Sequence, residues 1–260
     1  MPPSALIIGG GTGIGAAVAR RLAAEGWGVC VSGRREEPLA GVADSIAGLA
    51  VSGDCTDPAD VDRVVSACLE HFGGLDALVF SAGASAGGAV EEQTLERWNL
   101  VLGTNLTAAF LVCRAALPAL RSARGAIVTV SSVAGLRVGP ASAAYSTSKA
   151  GLIMLTQSLA LDYGPDGVRA NCVCPGWVRT AMGDAAMEEL VDAHGVDRDG
   201  AYELAAAAIP ARRPAATEEV AEAVAWLASP AASYVNGAVL TVDGGAAVVD
   251  VGTLAFRGNE

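Results

Sequence analysis

The amino-acid sequence predicts an α/β domain with a doubly wound parallel sheet of seven strands and helices on both faces. Short β-branched segments alternate along the chain with longer segments whose apolar residues recur every three or four positions. Apolar residues make up 52% of the chain and aromatic residues only 5%, which suits a sheet packed closely against helices. The 260 residues are a common length for one domain of this class.

Seven segments predict the strands. In chain order they are ALIIG from Ala5, GVCVSG from Gly28, LAVSGD from Leu49, DALVFSAG from Asp76, GAIVTVSS from Gly125, VRANCVCPG from Val168 and AVLTVDGG from Ala238. About six helical segments connect them, so the strands are expected to pair in parallel with right-handed crossovers. We therefore expect one domain over residues 1–260. The helical segment at about 180–210 adds no strand, and we expect it to be a lid.

Charge and composition exclude several classes of protein. The formal net charge of −11 argues against a nucleic-acid partner, which would need clustered Lys and Arg. The six cysteines lie mostly in apolar segments without a CxxC, and the two histidines stand alone, so we expect buried thiols and no metal site. No charged leader precedes the first strand, and Gly, Pro or charge interrupts later apolar runs before roughly 20 residues. A cytoplasmic enzyme without membrane contact is expected.

A glycine-rich turn, GGGTGIG, directly follows the first strand. Gly9, Gly13 and Gly15 would let the backbone approach a ligand closely, with Thr12 and Ile14 beside it at the start of a helix. Exposed N–H groups and the positive end of the helix dipole favour a pyrophosphate there. A glycine turn alone could instead serve tight helix packing. Its place after the first strand favours a dinucleotide site of the Rossmann type.

The end of the second strand, CVSGRREE, bears on the choice of nucleotide. Gly33 stands where many dinucleotide folds carry an acidic residue that binds the ribose hydroxyls, and Arg34 and Arg35 follow. A 2′-phosphate would find space and a guanidinium there instead of a repelling carboxylate. NADP(H) is therefore favoured. NAD(H) remains possible if the arginines instead pair with Glu36 and Glu37.

Tyr145 and Lys149 form a second candidate site. They are four residues apart, so a helix places them on one face. A free phenol, with a pKa of about 10, is a poor base at neutral pH, but a neighbouring ammonium favours the phenolate. Tyr145 could then exchange a proton with an alcohol or ketone, while Ser132 or its rival Ser131 stabilises the charge on the substrate oxygen. Asn105 is unfavourable within a helix, which indicates a local bend and a polar task.

These motifs resemble the short-chain dehydrogenase/reductase family over nearly the whole chain. The glycine spacing resembles the family's TGxxxGIG turn, Tyr145 and Lys149 its YxxxK, and CPGWVRT from Cys174 its PG motif. Two segments depart from the family pattern. Ile8 stands where the family usually has Thr, and FSAG from Phe80 replaces NNAG.

The resemblance implies a role for each site residue. Tyr145 would be the general acid/base, Lys149 would lower its pKa and hold the ribose, Ser132 would orient the substrate oxygen, and Asn105 would support a proton relay. The further cofactor-binding residues that it implies are Asp54 and Cys55 at the adenine, Ala82 and Gly83 after the fourth strand, and Pro175, Gly176, Val178 and Thr180 near the nicotinamide. Asp54 could instead cap a helix, although Asp57 before Pro58 fits a cap better.

The implied reaction is reversible hydride transfer between a nicotinamide cofactor and a secondary alcohol or ketone. A 3-oxoacyl-thioester reductase is the enzymatic alternative. A regulatory protein that senses the nucleotide without turnover is the alternative of another class, and loss of the Tyr or Lys would be its expected signature. Both residues are present.

The resemblance also implies a homo-oligomer, a tetramer by analogy. The segments LVCRAALPAL and AGLIMLTQSLALDYG carry more apolar residues than one buried helix face needs, which agrees. In the lid, the sequence predicts a flexible apolar wall made by Met182, Met187, Leu190 and Tyr202. Trp177 is expected either to flank the substrate or to pack under the lid.

Overall fold

A computed structural model of the chain describes residues 2–250 and 252–253. The strands are β1 (Ser4–Ile8), β2 (Gly28–Gly33), β3 (Leu49–Ser52), β4 (Ala77–Phe80), β5 (Ala126–Val130), β6 (Arg169–Pro175) and β7 (Val239–Val242). They form one sheet in the order β3-β2-β1-β4-β5-β6-β7, and every neighbouring pair is parallel. The predicted seven-stranded parallel sheet is confirmed.

The helices cover both faces of this sheet. They are α1 (Gly13–Ala24), α2 (Glu36–Ile46), α3 (Pro58–Phe72), α4 (Leu95–Leu102), α5 (Ala108–Ala123), α6 (Ala143–Tyr163), α7 (Ala181–His194), α8 (Arg198–Ala206) and α9 (Thr217–Ala228). The described residues contain more helices than the expected six for two reasons. The lid segment holds both α7 and α8, and a π-helix, Gly103–Thr107, separates α4 from α5.

Two hydrophobic cores lie on opposite faces of the sheet, because successive side chains of a strand point to opposite sides. In β1, Ala5 and Ile7 pack with α1, α2 and α9, whereas Leu6 and Ile8 pack with α3, α5 and α6. All five residues of β1 are buried. This two-sided burial explains why the strand segments are almost continuously apolar.

The strand order reverses at the centre of the sheet. The chain runs outward from β1 to β2 and β3, then returns to the other side of β1 with β4. The loops that leave the carboxyl ends of β1 and β4 therefore diverge, and ligands of such sheets bind in the crevice between them. The glycine turn begins at that point.

One helical stretch in the described part of the chain, Leu95–Ala123, is long and apolar enough by length and composition to cross a membrane. Gly103 and Arg114 interrupt its apolar sequence, as expected, but they do not end the helix. The chain stays helical through the π-helix, and Pro118 lies within α5. In the protein this stretch runs between β4 and β5, and 44% of its most apolar window is buried.

Candidate active site

The glycine turn packs directly against the end of β4. Gly9 has a φ of +81°, and a Cβ there would lie 2.6 Å from the backbone nitrogen of Ala82. A Cβ on Gly15 would overlap the carbonyl oxygen of Gly9. Gly13, with a φ of +56°, opens α1 at a place where a Cβ would lie 3.4 Å from the Thr180 methyl group. The backbone forms a close-fitting cradle at a helix N-terminus, which suits a pyrophosphate.

A cleft of about 730 Å³ extends from this cradle across the carboxyl ends of the strands. The predicted residues that line it are Gly9, Thr12, Gly13, Ile14, Arg34, Arg35, Asp54, Cys55, Ala82, Gly83, Tyr145, Lys149 and Thr180. Six predicted residues do not line it: Gly15, Asn105, Ser132, Pro175, Gly176 and Val178. The size of the cleft and its glycine cradle fit a dinucleotide.

Several residues that line the cleft carry no motif of their own in the sequence. Asn99, Leu100, Gly103 and Thr104 line the cleft because α4 and the π-helix run along one side of it. Their neighbour Asn105, a predicted site residue, was the one sequence feature that could have pointed to them. A residue next to a predicted site residue on one helix is a reasonable candidate for the same wall.

The end of β2 forms one side of the cleft, with open space where an acidic side chain could stand. A Cβ on Gly33 would have only the Leu39 side chain near it, at 3.9 Å. Within the described residues, neither Arg34 nor Arg35 forms an ion pair, and Arg35 donates a long hydrogen bond of 3.5 Å to the Thr12 hydroxyl. The alternative pairing with Glu36 and Glu37 is therefore not formed.

In the loop after β3, the aspartate that caps the next helix is the one that the sequence favoured. Asp57 caps α3 by accepting a hydrogen bond from the Ala59 backbone nitrogen. Asp54 instead accepts hydrogen bonds from the backbone nitrogen and hydroxyl of Thr56, at 2.9 and 2.8 Å. Burial raises the pKa of the neighbouring Cys55 thiol to about 11, so this cysteine is an uncharged part of the cleft wall at neutral pH.

Tyr145 lies in the first turn of α6, beside Ser132. Burial raises the pKa of its phenol, and a hydrogen bond with the Ser132 side chain lowers it in part. Lys149 Nζ lies 5.7 Å from the centre of the Tyr145 ring and donates its hydrogen bond to the carbonyl oxygen of Val130.

Lys149 is the only lysine in the chain, and it is 4% exposed. Its Nζ donates a hydrogen bond of 3.0 Å to the carbonyl oxygen of Val130, the last residue of β5. Burial lowers the pKa of the ammonium to about 8, while the thiols of Cys172 and Cys174 on β6 act weakly in the opposite direction. At neutral pH the group is therefore a buried cation at the wall of the cleft.

Asn105 lies in the π-helix, so regular α-helical geometry is interrupted where the sequence predicts a local bend. Its amide is fully buried, accepting from the Ala84 backbone nitrogen at 2.7 Å and donating to the Ala84 carbonyl and the Ser148 hydroxyl, both at 2.9 Å. A Cβ on Gly83 would lie 3.6 Å from Asn105 Oδ1 and 3.7 Å from Lys149 Nζ. Asn105 and Lys149 thus meet across Gly83, and Asn105 ties the loop after β4 to α6.

The two serines at the end of β5 face different partners. The Ser131 hydroxyl donates to the carbonyl oxygen of Lys149 at 2.8 Å and is buried against α6, although Ser131 itself borders the cleft. The Ser132 hydroxyl accepts from the Ala134 backbone nitrogen at 3.1 Å, and its side chain is close enough to the Tyr145 phenol to lower the pKa of that phenol in part. Of the two serines, only Ser132 has its side chain beside the Tyr145 hydroxyl.

The lid differs from the flexible apolar wall that the sequence predicted. Met187 and Tyr202 are buried in a small core between α7 and α8, with Leu190 packed against it. The Tyr202 hydroxyl lies 3.0 Å from Asp184 Oδ1. Of the four expected wall residues, only Met182 lines the cleft.

Two segments next to the lid complete the site. Thr180 caps α7 by accepting from the Gly183 backbone nitrogen at 3.0 Å, which fixes the lid's first turn over the glycine cradle. Trp177 lines a separate small cavity of about 80 Å³ with Ile209 and Ala211. Trp177 remains 39% exposed and does not line the large cleft.

The departures from the family pattern leave the central strands joined. Ile8 is buried as the last residue of β1, and its carbonyl accepts a hydrogen bond of 2.9 Å from the Ser81 backbone nitrogen. Phe80 is fully buried in the core on the α3 and α5 side. Backbone contacts and apolar packing hold this region where the family usually uses polar side chains.

A nucleotide cradle, a cleft at the strand-order reversal and a tyrosine–serine–lysine group beside it define a dinucleotide-dependent oxidoreductase. The family model described as enoyl-(acyl carrier protein) reductase matches residues 9–247. The chain belongs to the short-chain dehydrogenase/reductase family, and it is an enzyme that transfers a hydride between a nicotinamide cofactor and a CH–OH or C=O group of a small molecule.

Curated relatives match over almost their whole length. The chain is 42% identical to protein MoaE of Klebsiella aerogenes over 96% of this chain and 98% of the relative. It is 36% identical to meso-2,3-butanediol dehydrogenase of Serratia marcescens, covering 94% of each chain. Among solved structures, a variant of actinorhodin polyketide ketoreductase with NADPH matches at 34% identity, with a TM-score of 0.91, over 95% of this chain and 98% of that one.

Proposed function

We propose that this enzyme is an NADP(H)-preferring oxidoreductase of secondary alcohols and ketones in which Tyr145 is the general acid/base. The observation that carries the proposal is that Tyr145 and Lys149, one helical turn apart on α6, both line the cleft that begins at the glycine cradle, with Ser132 next to Tyr145. A substrate oxygen between the Tyr145 and Ser132 hydroxyls would accept a hydrogen bond from each.

The cofactor supplies or accepts the hydride, and the chain's residues provide the remaining chemistry. In ketone reduction, the neutral Tyr145 phenol donates its proton to the carbonyl oxygen as negative charge develops there. Ser132 stabilises that charge through its hydrogen bond. Because burial raises the pKa of Tyr145, the phenol is protonated at neutral pH and ready to act as the acid.

Lys149 and Asn105 complete the proposed site. The Lys149 ammonium would hold the ribose hydroxyls of the cofactor and favour the phenolate once the site is assembled. Asn105 would keep Gly83 and Ala84 in place and carry the proton relay toward Lys149, since both residues approach Gly83. Pro175, Gly176 and Val178 would support the nicotinamide from the end of β6, where they stand behind the cleft wall.

The preference for NADP(H) rests on the end of β2. The space at Gly33 and the unpaired guanidinium of Arg34 beside the cleft suit a 2′-phosphate, and there is no carboxylate at position 33 to repel it. Arg35, held near Thr12, would add a second positive charge.

Substitution of Tyr145 tests the proposal. Tyr145→Phe removes one hydroxyl and is expected to reduce ketone turnover by roughly 10²–10⁴-fold while NADPH binding, followed by nicotinamide fluorescence, stays within about twofold. Tyr163→Phe removes the same group at the other end of α6 and should keep native turnover. Near-native turnover in Tyr145→Phe would contradict the proposed acid/base.

A 3-oxoacyl thioester remains the second candidate substrate, because the matching family model and the actinorhodin relative are named for acyl-carrier or polyketide reactions. The lid offers little to an acidic carrier protein. Its cations Arg179 and Arg198 are paired with Asp199, Asp184 and Glu188. Comparing kcat/KM for a simple ketone and for a 3-oxoacyl thioester of a short thiol would choose between the two substrate classes.

We also propose that the enzyme is a homo-oligomer, with a tetramer as the family arrangement. Phe110 on α5 and Met154 and Leu161 on α6 are exposed large apolar side chains, 47%, 63% and 79% accessible. These helices lie on one face of the sheet, so an apolar contact between copies would cover them together.

A further inference from the structure

Ser131 has a contact that the catalytic roles above do not use. It follows the last residue of β5 and extends the sheet by donating its backbone N–H to the Val173 carbonyl at 2.7 Å. Its side chain is buried and donates to the carbonyl oxygen of Lys149 at 2.8 Å. That carbonyl belongs to the second turn of α6, where the N–H groups of the helix already supply hydrogen-bond donors.

Lys149 is held by two consecutive residues at the end of β5. Val130 accepts the hydrogen bond of its side-chain ammonium at 3.0 Å, and Ser131 binds its backbone carbonyl. Gly135 closes the third side, since a Cβ there would lie 2.8 Å from the Lys149 carbonyl carbon. The position of this one residue relative to the sheet is therefore fixed at both its main chain and its charged group.

The same strand and helix carry a comparable hydroxyl contact outside the cleft. Thr129 and Thr156 lie on β5 and α6 with their hydroxyl oxygens 2.7 Å apart, and Thr156 also donates to the Leu152 carbonyl. Both threonines are fully buried and neither lines the cleft. This pair joins the same two elements without touching Lys149. A substitution in it therefore serves as a control that lowers stability without changing the position of Lys149.

We propose that Ser131 is a positioning residue that sets the register of α6 on β5 and so places the Lys149 ammonium at the cofactor ribose and Tyr145 beside Ser132. The inference rests on the proposed roles of Tyr145 and Lys149. The Ser131 hydroxyl is committed to the Lys149 carbonyl, so its effect passes through the Lys149 backbone. In this arrangement Ser132 binds the reacting oxygen of the substrate. Ser131 binds α6, the helix that carries Tyr145.

Ser131→Ala and Thr129→Val test this role as a matched pair. Each removes one buried hydroxyl between β5 and α6, so each is expected to lower the Tm by a few degrees. Only Ser131→Ala should also weaken NADPH binding, by about tenfold, and reduce kcat by at least the same factor. Equal effects of the two variants on NADPH binding and kcat would overturn the proposal.

A double-mutant cycle in NADPH binding shows whether the effect passes through Lys149. Ser131→Ala should weaken binding in the native background and have no further effect in Lys149→Met. The same loss in both backgrounds would overturn the proposal, because Ser131 would then act independently of Lys149. If Lys149→Met binds NADPH as the native enzyme does and Tyr145→Phe keeps its turnover, the proposed function itself fails, and the inference fails with it.

Discussion

Gly33 is the residue where a single side chain should change the choice of nucleotide. It has room for a carboxylate, and that carboxylate would stand beside Arg34 at the edge of the cleft. A carboxylate there accepts hydrogen bonds from ribose hydroxyls and repels a 2′-phosphate. The absence of a side chain at this position therefore matters as much as the presence of the arginine.

Gly33→Asp is expected to weaken NADPH binding at least about tenfold relative to NADH, because the new charge opposes the phosphate and can also pair with Arg34. Titration with both nucleotides, followed by nicotinamide fluorescence, measures the ratio. Gly41→Asp adds the same charge on the exposed side of α2 and should leave the ratio unchanged. An unaltered ratio in Gly33→Asp would show that position 33 does not face the adenosine ribose.

Lys149 carries a cost in stability that the fold tolerates for its function. Its pKa falls from 10.5 to about 8 on burial, so the unfolded chain binds more protons than the folded one between those values. Stability therefore rises with pH across that interval, and the full cost is present below pH 8. The cost is at most about 3 kcal/mol, reduced by whatever the hydrogen bond to Val130 returns.

Lys149→Met should accordingly raise the Tm at about pH 7 while abolishing turnover, since Met fills the site without a buried charge. The difference in Tm between the variant and the native enzyme should shrink as the pH approaches about 10. Thermal unfolding across this range tests both statements. A difference in Tm that stays constant with pH would mean that Lys149 does not titrate in this interval.

Among the helices, α7 and α8 show where sequence reasoning reaches its limit. The sequence located the lid and its apolar residues, but both helices have an inner and an outer apolar side. Which side faces the cleft depends on the angle at which Thr180 starts α7 and on the burial of Tyr202 against Asp184. Those are tertiary contacts that no local pattern encodes.

For Asn105 and the glycine turn, in contrast, the local sequence was enough to identify the residues that border the site. An asparagine inside an apolar helix is unfavourable, and this signal marked Asn105 in the sequence. In the structure Asn105 lies in a π-helix, and its side-chain amide binds the Ala84 backbone. The glycines are likewise readable because their close contacts forbid a Cβ. Ser131 was visible only as a rival to Ser132, since its partner on α6 is 18 residues further along the chain.

The two lid methionines should behave differently when truncated. Met182→Ala, at the cleft wall, is expected to change KM for bulky ketones several-fold with little change in Tm. Met187→Ala removes a side chain that is 1% exposed and should destabilise the lid by about 2–5 kcal/mol. Steady-state kinetics and thermal unfolding of both variants check this. A large loss of Tm in Met182→Ala would place that side chain in a core and not in the cleft.

In the whole molecule, sheet order and site location follow from the sequence pattern, whereas assembly does not. Seven strand segments and a glycine turn after the first determine where the crevice lies. The single domain over residues 1–260 and the tetramer remain predictions, since excess apolar residues on α5 and α6 show only that a face is available. The choice of partner surface depends on geometry between copies.

Leu161→Glu places a charge on the exposed apolar face of α6 and is expected to shift the enzyme to a smaller assembly. Light scattering after size-exclusion chromatography measures the mass. Leu204→Glu makes the same change at an exposed position on the lid and should leave the mass unchanged. A Leu161→Glu protein with the native mass would show that this part of α6 lies outside the interface.

The burial of the single lysine has a consequence for covalent chemistry on this protein. The folded surface presents its positive charge through arginine, so it offers no lysine amine to acylating reagents, cross-linkers or enzymes that attach other proteins to lysine. Apart from the α-amino group, an amine-directed label can therefore react only with Lys149 at the cleft. Its rate of incorporation, with and without nucleotide, would measure how often the site between β5 and α6 opens in the native protein.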